Sequence, residues 1–301
     1  MDTLLDATQT AARLSCGPLA AEIRALLADA TVQVPERLVQ PLPGGGSLFL
    51  MPGLDGRIAI TKLITFTPAN SGTTRPAIQG DVVVFDIATG ARMLVLDGPT
   101  VTARRTAAVS LLAAQSLAPN KAGPLLIVGA GVQGRAHLEA FAEGLGVRKV
   151  FIASRSAASA QALVEHARAL GLEARAVHDA DAALAVCPLV VTCTPASGVV
   201  LRALPRDDAF IAAVGAFTPA MVELDPELCR HCNDNGTVIL DTADAVHEAG
   251  DLIQAELDVA SFATLRDVVE ESAEWTRGPL LFKSCGWAGW DLAAARLALL
   301  A

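Results

Sequence analysis

Apolar positions along this chain follow three different rules. Over the first thirty or so residues they recur at helical spacing in two pieces, DTLLDATQTAARLS and PLAAEIRALLAD, and the breaker Cys16-Gly17-Pro18 between them predicts a helical hairpin. From 47 to 96 they form short β-branched runs, SLFLM, RIAITKLITF, DVVVFDI and RMLVL, divided by Pro-Gly, Asp-Gly and Thr-Gly turns, the mark of an antiparallel sheet. From about 123 onward, solid apolar runs, LLIV, KVFIA, LVVTC, FIAAV and TVILD, alternate with helical segments. Buried parallel strands joined by crossovers produce that rhythm. A helix over about 102–117 joins the two regions, and the last stretch, GPLLFKSCGWAGWDLAAARLALLA, ends in an amphipathic helix that can return to the first. The expected division is 1–115 plus 285–301 for one domain and 116–284 for an inserted α/β domain.

The inserted domain opens on LLIVGAGVQGRAHLEAF, an apolar strand breaking into Gly129-x-Gly131-x-x-Gly134 and then a helix. In that context Gly129 permits a tight turn, Gly131 lets a pyrophosphate approach the backbone, and Gly134 lets the helix pack close to the strand. The phosphates then meet the N–H groups of the helix start, at Val132 and Gln133. The next strand decides which dinucleotide fits. An NAD site offers an acid to the ribose hydroxyls, whereas this strand ends in Ser154-Arg155-Ser156, suited to a 2′-phosphate, so NADPH is favoured over NADH. Two further strand ends, Thr192-Cys193-Thr194-Pro195 and Val214-Gly215-Ala216-Phe217, are expected to border the nicotinamide, because ligands in such sheets lie beyond the carboxyl ends of strands.

Composition removes several other classes. The chain has 301 residues, and although 52% are hydrophobic, no apolar run approaches a membrane span. The beginning, MDTLLDATQT, lacks the basic region of a secretory signal, so a cytoplasmic location is expected. A net charge of -9 with no basic run argues against nucleic acid. Six cysteines do not form a disulfide scaffold, and Cys229 and Cys232 have C-x-x-C spacing without a second pair, so no metal is expected. There is no tyrosine, which excludes a Tyr-Lys proton donor. His137, His166 and His178 fall on helices or connections and read as structural.

Two cations break local rules. Alternation in RIAITKLITF puts Lys62 on the apolar face with Ile58, Ile60, Ile64 and Phe66. Burying an ammonium is costly unless it meets an anion, and desolvation moves its pKa toward acid-base range. In GPTVTARRTAAVSLLAAQ, Arg105 shares a stripe with Ala108, Val109 and Leu112 and is read in a first helical turn, where it opposes the helix dipole unless an anion binds there. Arg104 is read as its solvent-facing neighbour. Arg37, after Val34-Pro35-Glu36, can join them following a rigid turn.

Together, PER at 35–37, the strand around Lys62, TARRTAA at 102–108, GAGVQG, VGAFTPAMVEL at 214–224 and LFKSCG at 281–286 resemble the ornithine cyclodeaminase and mu-crystallin family over most of the chain. The resemblance implies a Rossmann-type doubly wound parallel sheet inserted in an α+β domain that binds substrate and forms a homodimer through its sheet. A small imino or amino acid is then bound between the two. It also implies that Arg37, Lys62 and Arg105 face the substrate, with Thr194, Val214 and Ser284 near the cofactor. One position departs from the pattern: the family's cyclodeaminases carry an aspartate two residues before the proline of VGAFTPAMVEL, where this chain has Phe217. A phenyl ring cannot hold an ammonium or carry a proton. The expectation is therefore NADPH-dependent reduction of a cyclic ketimine carboxylate, Δ1-pyrroline-2-carboxylate or Δ1-piperideine-2-carboxylate. The alternatives are a cyclodeaminase-type lyase with retained NAD and a noncatalytic NADPH-dependent binding protein of the mu-crystallin type.

Overall fold

The computed structural model describes residues 3–70, 73, 75–195, 197–271 and 278–301. Its backbone divides into two compact units, residues 1–105 with 287–301, and residues 106–286.

In the first unit the two N-terminal helices are Ala7–Arg13 and Cys16–Leu27. Asp6 caps the first through a reciprocal bond with Gln9, the arrangement expected of a capping box. Five antiparallel strands follow in sequential order, β1 (Leu38–Leu42), β2 (Gly46–Leu54), β3 (Ile58–Phe66), β4 (Ile78–Asp86) and β5 (Arg92–Asp97). β1 is an addition to the expected strands. Pro41 and Pro43 mask it in the sequence, yet an edge strand tolerates proline, and Gly44 and Gly45 at φ 85° and 80° make the turn into β2. One face of the sheet is buried and holds Met51, Ile58, Ile60, Lys62, Val82, Val84 and Leu96. The C-terminal helix Ala288–Ala298 packs against β2, β3 and the helix Cys16–Leu27.

The helix Gly98–Leu117 starts four residues earlier than its pattern suggested. Asp97 caps it by accepting from the Thr100 N–H at 2.8 Å, and Pro99 suits its first turn. The expected division after 115 falls at 105 for a physical reason. From Thr106 on, this helix belongs to the second unit's packing: Ser110 bonds His137, Leu111 fills the space a side chain at Gly144 would need, and Gln115 donates to the Gly144 carbonyl.

The second unit holds an eight-stranded, wholly parallel sheet. Its strands are β6 (Leu125–Val128), β7 (Lys149–Ala153), β8 (Glu173–Val177), β9 (Leu189–Thr192), β11 (Phe210–Ala213), β13 (Thr237–Leu240), β14 (Ala263–Thr264) and β15 (Leu280–Lys283). β10 (Ser197–Leu201) and β12 (Val222–Leu224) form a separate parallel pair. The order β14-β13-β15-β11-β9-β6-β7-β8 contains every expected parallel strand and places β15, which lies within the expected 116–284 domain but was not among the expected strands, between β11 and β13. Among the described residues, no helix is long and apolar enough to cross a membrane.

His137 is fully buried on the helix Val132–Gly144. Its Nδ1 faces the Gln133 carbonyl at 2.8 Å and its Nε2 the Ser110 hydroxyl at 3.0 Å. A neutral ring satisfies both by donating from Nδ1 and accepting at Nε2. Burial lowers its pKa to about 4. An unfolded chain binds this proton below about pH 6.5 and the folded one only below about 4, so stability falls as pH drops through that window. At ~1.4 kcal/mol per pH unit, the loss reaches about 3 kcal/mol. Urea unfolding from pH 7 to 4 should show this decline in the wild type and a shallower one in His137→Gln.

Candidate active site

In the first unit the charged groups gather around one carboxylate. Register sets Lys62 of β3 opposite Met51 and Val82, and Val82 opposite Leu96, so the ammonium emerges from an apolar row. Its Nζ donates to Asp291 Oδ1 at 3.2 Å and Oδ2 at 3.4 Å, and both residues are buried. Arg105 Nε lies 3.5 Å from the same Oδ1 without the alignment of a hydrogen bond. Burial lowers the Lys62 pKa to about 8. Asp291 opposes that shift, while the positive charges of Arg105 and Arg37 add to it. The three cations expected from the sequence therefore share one electrostatic neighbourhood.

Two readings need correction. Arg105 is the eighth residue of its helix, not a first-turn residue, because the helix begins at Gly98; its constraint is Asp291 and not the dipole. Arg104 is half-buried with Nη1 3.6 Å from Cys16 Sγ, not turned to solvent. Sequence reasoning missed Asp291 itself. Its signal is the helix around it: residues 288–295 are all buried, and a helix apolar on every side must pair any acid it carries.

In the second unit the parallel register aligns the strand ends. Ala153, Val128, Thr192, Ala213, Lys283 and Leu240 form one row across β7, β6, β9, β11, β15 and β13. Ser154, Gly129, Cys193, Val214, Ser284 and Asp241 come immediately after it, so Ser154, Arg155, Ser156, Thr194, Val214 and Ser284 fall along one edge beside the glycine turn. The turn fits a dinucleotide phosphate. Gly129 has φ 117°, and a Cβ there would lie 2.7 Å from the Cys193 carbonyl oxygen; a Cβ at Gly134 would collide with the Gly129 carbonyl. At Gly131, by contrast, a Cβ would meet nothing, which leaves open space where a helix begins at Val132 and Gln133.

Other side chains at this edge are already committed. Ser156 caps the helix Ala157–Ala169, and its N–H donates to Ser154 Oγ at 3.3 Å; Arg155 is exposed. Ser284 Oγ donates to Asp241 Oδ2 at 2.8 Å, which also accepts the Cys285 and Gly286 N–H groups. Phe217 is 48% exposed on the loop after β11. Cys229 and Cys232 lie buried on the helix Pro226–Asn235, with both thiol pKa values pushed up by burial. A buried trio that sequence reasoning missed, Glu223, Asp251 and Lys283, lies under the ends of β9, β11 and β15.

A glycine turn on a parallel sheet, with a buried carboxylate-paired cluster of cations in a separate unit, defines a protein of two units, one Rossmann-like and one built on an antiparallel sheet. The chain belongs to the ornithine cyclodeaminase/mu-crystallin family, whose model matches residues 7–299. It is 39% identical to Delta(1)-pyrroline-2-carboxylate reductase 2 of Burkholderia ambifaria, covering 97% of this chain and 94% of that one. It is likewise 39% identical to the Delta(1)-pyrroline-2-carboxylate/Delta(1)-piperideine-2-carboxylate reductase of Azospirillum brasilense, over 98% and 94%. The solved structure of Thermococcus litoralis Delta(1)-pyrroline-2-carboxylate reductase in complex with NADH and L-proline superposes with a TM-score of 0.89 at 25% identity, covering 99% of this chain and 96% of that one.

The cluster around Asp291 makes a stability prediction. Asp291→Ala leaves two buried cations without their carboxylate and should cost about 3–5 kcal/mol. Lys62→Met leaves Asp291 beside Arg105 and should cost less. The double variant should recover part of the sum, as read from a urea-unfolding cycle.

Proposed function

We propose that this chain reduces the C=N bond of Δ1-pyrroline-2-carboxylate or Δ1-piperideine-2-carboxylate to L-proline or L-pipecolate, with NADPH as the reductant. The observation that carries the reading is the buried cluster around Asp291: Lys62 and Arg105 meet at one carboxylate and Arg37 is near enough to act on Lys62, a grouping of cations that suits a substrate bearing a carboxylate of its own. Near-full-length relatedness to pyrroline-carboxylate reductases supports imine reduction as the reaction, and Phe217 in place of the cyclodeaminase aspartate supports reductase over lyase.

A bound nicotinamide dinucleotide supplies the hydride. Gly129, Gly131, Val132, Gln133 and Gly134 hold its phosphates, and Ser154, Arg155 and Ser156 receive the 2′-phosphate. Thr194, Val214 and Ser284 border its other end. Arg105 and Arg37 clamp the substrate carboxylate and so hold the ring in one orientation. Lys62, kept in its ammonium form by Asp291, stands at the carboxylate and imine side and organises the proton that the ring nitrogen gains. The product is a secondary amine. A second copy of the chain covers the outer sheet face, where Leu38, Leu50 and Leu63 are cross-strand neighbours and Leu38 and Leu63 are 55% and 41% exposed.

An NADPH-oxidation screen over both cyclic ketimines, pyruvate with ammonia or methylamine, and ornithine with NAD tests the reading. Stoichiometric oxidation with a cyclic ketimine is expected, and ammonia release from ornithine without net cofactor turnover would overturn it. The pH dependence carries a sign. Lys62 loses its proton as pH rises through about 8, so kcat/KM for reduction should decline above that pH. Asp291→Asn removes the carboxylate that raises this pKa and should move the declining limb to lower pH.

For the cofactor, kcat/KM should favour NADPH over NADH. Arg155→Ala should erode that preference by about 1–3 kcal/mol, the range of charge-assisted hydrogen bonds. Equal use of both cofactors by the wild type would remove the assignment of Ser154 and Arg155.

A further inference from the structure

Three charged side chains in the second unit, Glu223, Asp251 and Lys283, are at most 1% exposed. The β ladder between β9 and β11 ends with Ala213 opposite Thr192 and the Val214 N–H donating to the Thr192 carbonyl. Beyond that point Glu223 joins the two strand ends. Its Oε1 accepts the Thr194 N–H at 2.6 Å and the Thr194 hydroxyl at 2.9 Å. Its Oε2 accepts the Gly215 N–H at 2.6 Å and the Thr192 hydroxyl at 3.0 Å. Glycine is required at 215, where a Cβ would collide with the Thr194 backbone and crowd Glu223 Oε1.

The carboxylate is itself held in place. Asp251 Oδ1 accepts the backbone N–H groups of Glu223 and Leu224, at 2.6 and 3.0 Å. Asp251 Oδ2 takes the Lys283 ammonium at 2.6 Å, and the same ammonium donates to the Ala216 carbonyl at 2.6 Å. The loop after β11 is thus gripped twice in succession, at Gly215 by Glu223 and at Ala216 by Lys283. Two carboxylates and one ammonium taken out of water are a poor source of stability, since apolar groups of the same volume usually serve as well. What this arrangement supplies is direction, through four bonds that fix two strand ends against each other.

We infer that Glu223 is a positioning residue for hydride transfer, locking Thr194 and Gly215 at the carboxyl ends of β9 and β11, where the nicotinamide end of the cofactor is held. This rests on the dinucleotide reading above. Each carboxylate oxygen faces one backbone N–H that can only donate. An amide in its place must therefore turn its nitrogen toward one of them, releasing one strand end while the fold persists.

The test compares wild type with Glu223→Gln, using NADPH and NADPH dideuterated at nicotinamide C4, with a cyclic ketimine as acceptor. Expected for the variant are a kcat reduced by about 10- to 100-fold, the scale of a displacement near 1 Å, and a deuterium isotope effect on kcat larger than in wild type. The Kd for NADPH should stay within about threefold by fluorescence titration, because the phosphate turn is untouched. A purely structural role lowers the folded fraction and leaves the isotope effect unchanged, which would overturn the inference, as would wild-type values throughout. If Glu223→Gln does not fold, Thr194→Val, which removes a single hydroxyl bond, must raise the isotope effect; an unchanged value there also overturns it. Wild-type protein that neither binds NADPH nor reduces a ketimine would overturn the functional reading itself, a separate and recognisable failure.

Discussion

An ammonium removed from water has to be answered by an anion, and in the first unit that requirement fixes what surrounds it. Lys62 lies in a row of buried apolar neighbours on β3, so only a carboxylate delivered from outside the sheet can compensate it. Asp291, on a helix otherwise made of Ala, Leu, Gly and Trp over its buried length, makes that delivery. The pairing specifies how the C-terminal helix is seated against the sheet, since sliding it by one residue would bury an acid against an aliphatic side chain and strand the ammonium. Arg105 reaches the same oxygen from a third element. One carboxylate thus relates a strand, an internal helix and the last helix of the chain.

The second unit solves a different problem with the same chemistry. A parallel sheet positions its strands well, but its ladder stops at the strand ends, which is where ligands of such folds bind. Glu223 continues the order past that limit, with Asp251 and Lys283 as its support. Burial pushes the Glu223 pKa up. Lys283 is held above its ordinary value even though burial opposes its charge, mainly because Asp251 is beside it.

Much of this was legible in the sequence where a violation of local pattern fell inside an element long enough to show its period. Lys62 stood out because period-two alternation leaves no doubt about which face a residue takes, and the glycine turn because its three glycines each answer a steric demand that the structure makes explicit. Legibility failed where an element was short or its partner distant. β15 is four residues long and is not marked as a strand by its pattern, although the same reasoning applied to Lys283, a lysine closing an apolar run, marks it as buried. β8, with sequence EARAV, carries its charges on exposed positions at a sheet edge and lacks the solid run of its neighbours. Asp291 is hidden because the amphipathic pattern of its helix gives no sign that the acid lies on a buried face. The start of the helix bearing Arg105 was misread because Asp97 completes β5 and caps the helix at once.

The number of carboxylates near Lys62 also bears on how the site works. With no Asp291, desolvation and two neighbouring guanidinium groups would push the ammonium further toward its neutral form. Asp291 opposes the effect of burial and of the neighbouring guanidinium groups, so that the lysine titrates near pH 8. The chain achieves that balance with an acid 229 residues further along than the lysine it serves, so no local motif around Lys62 could have disclosed it.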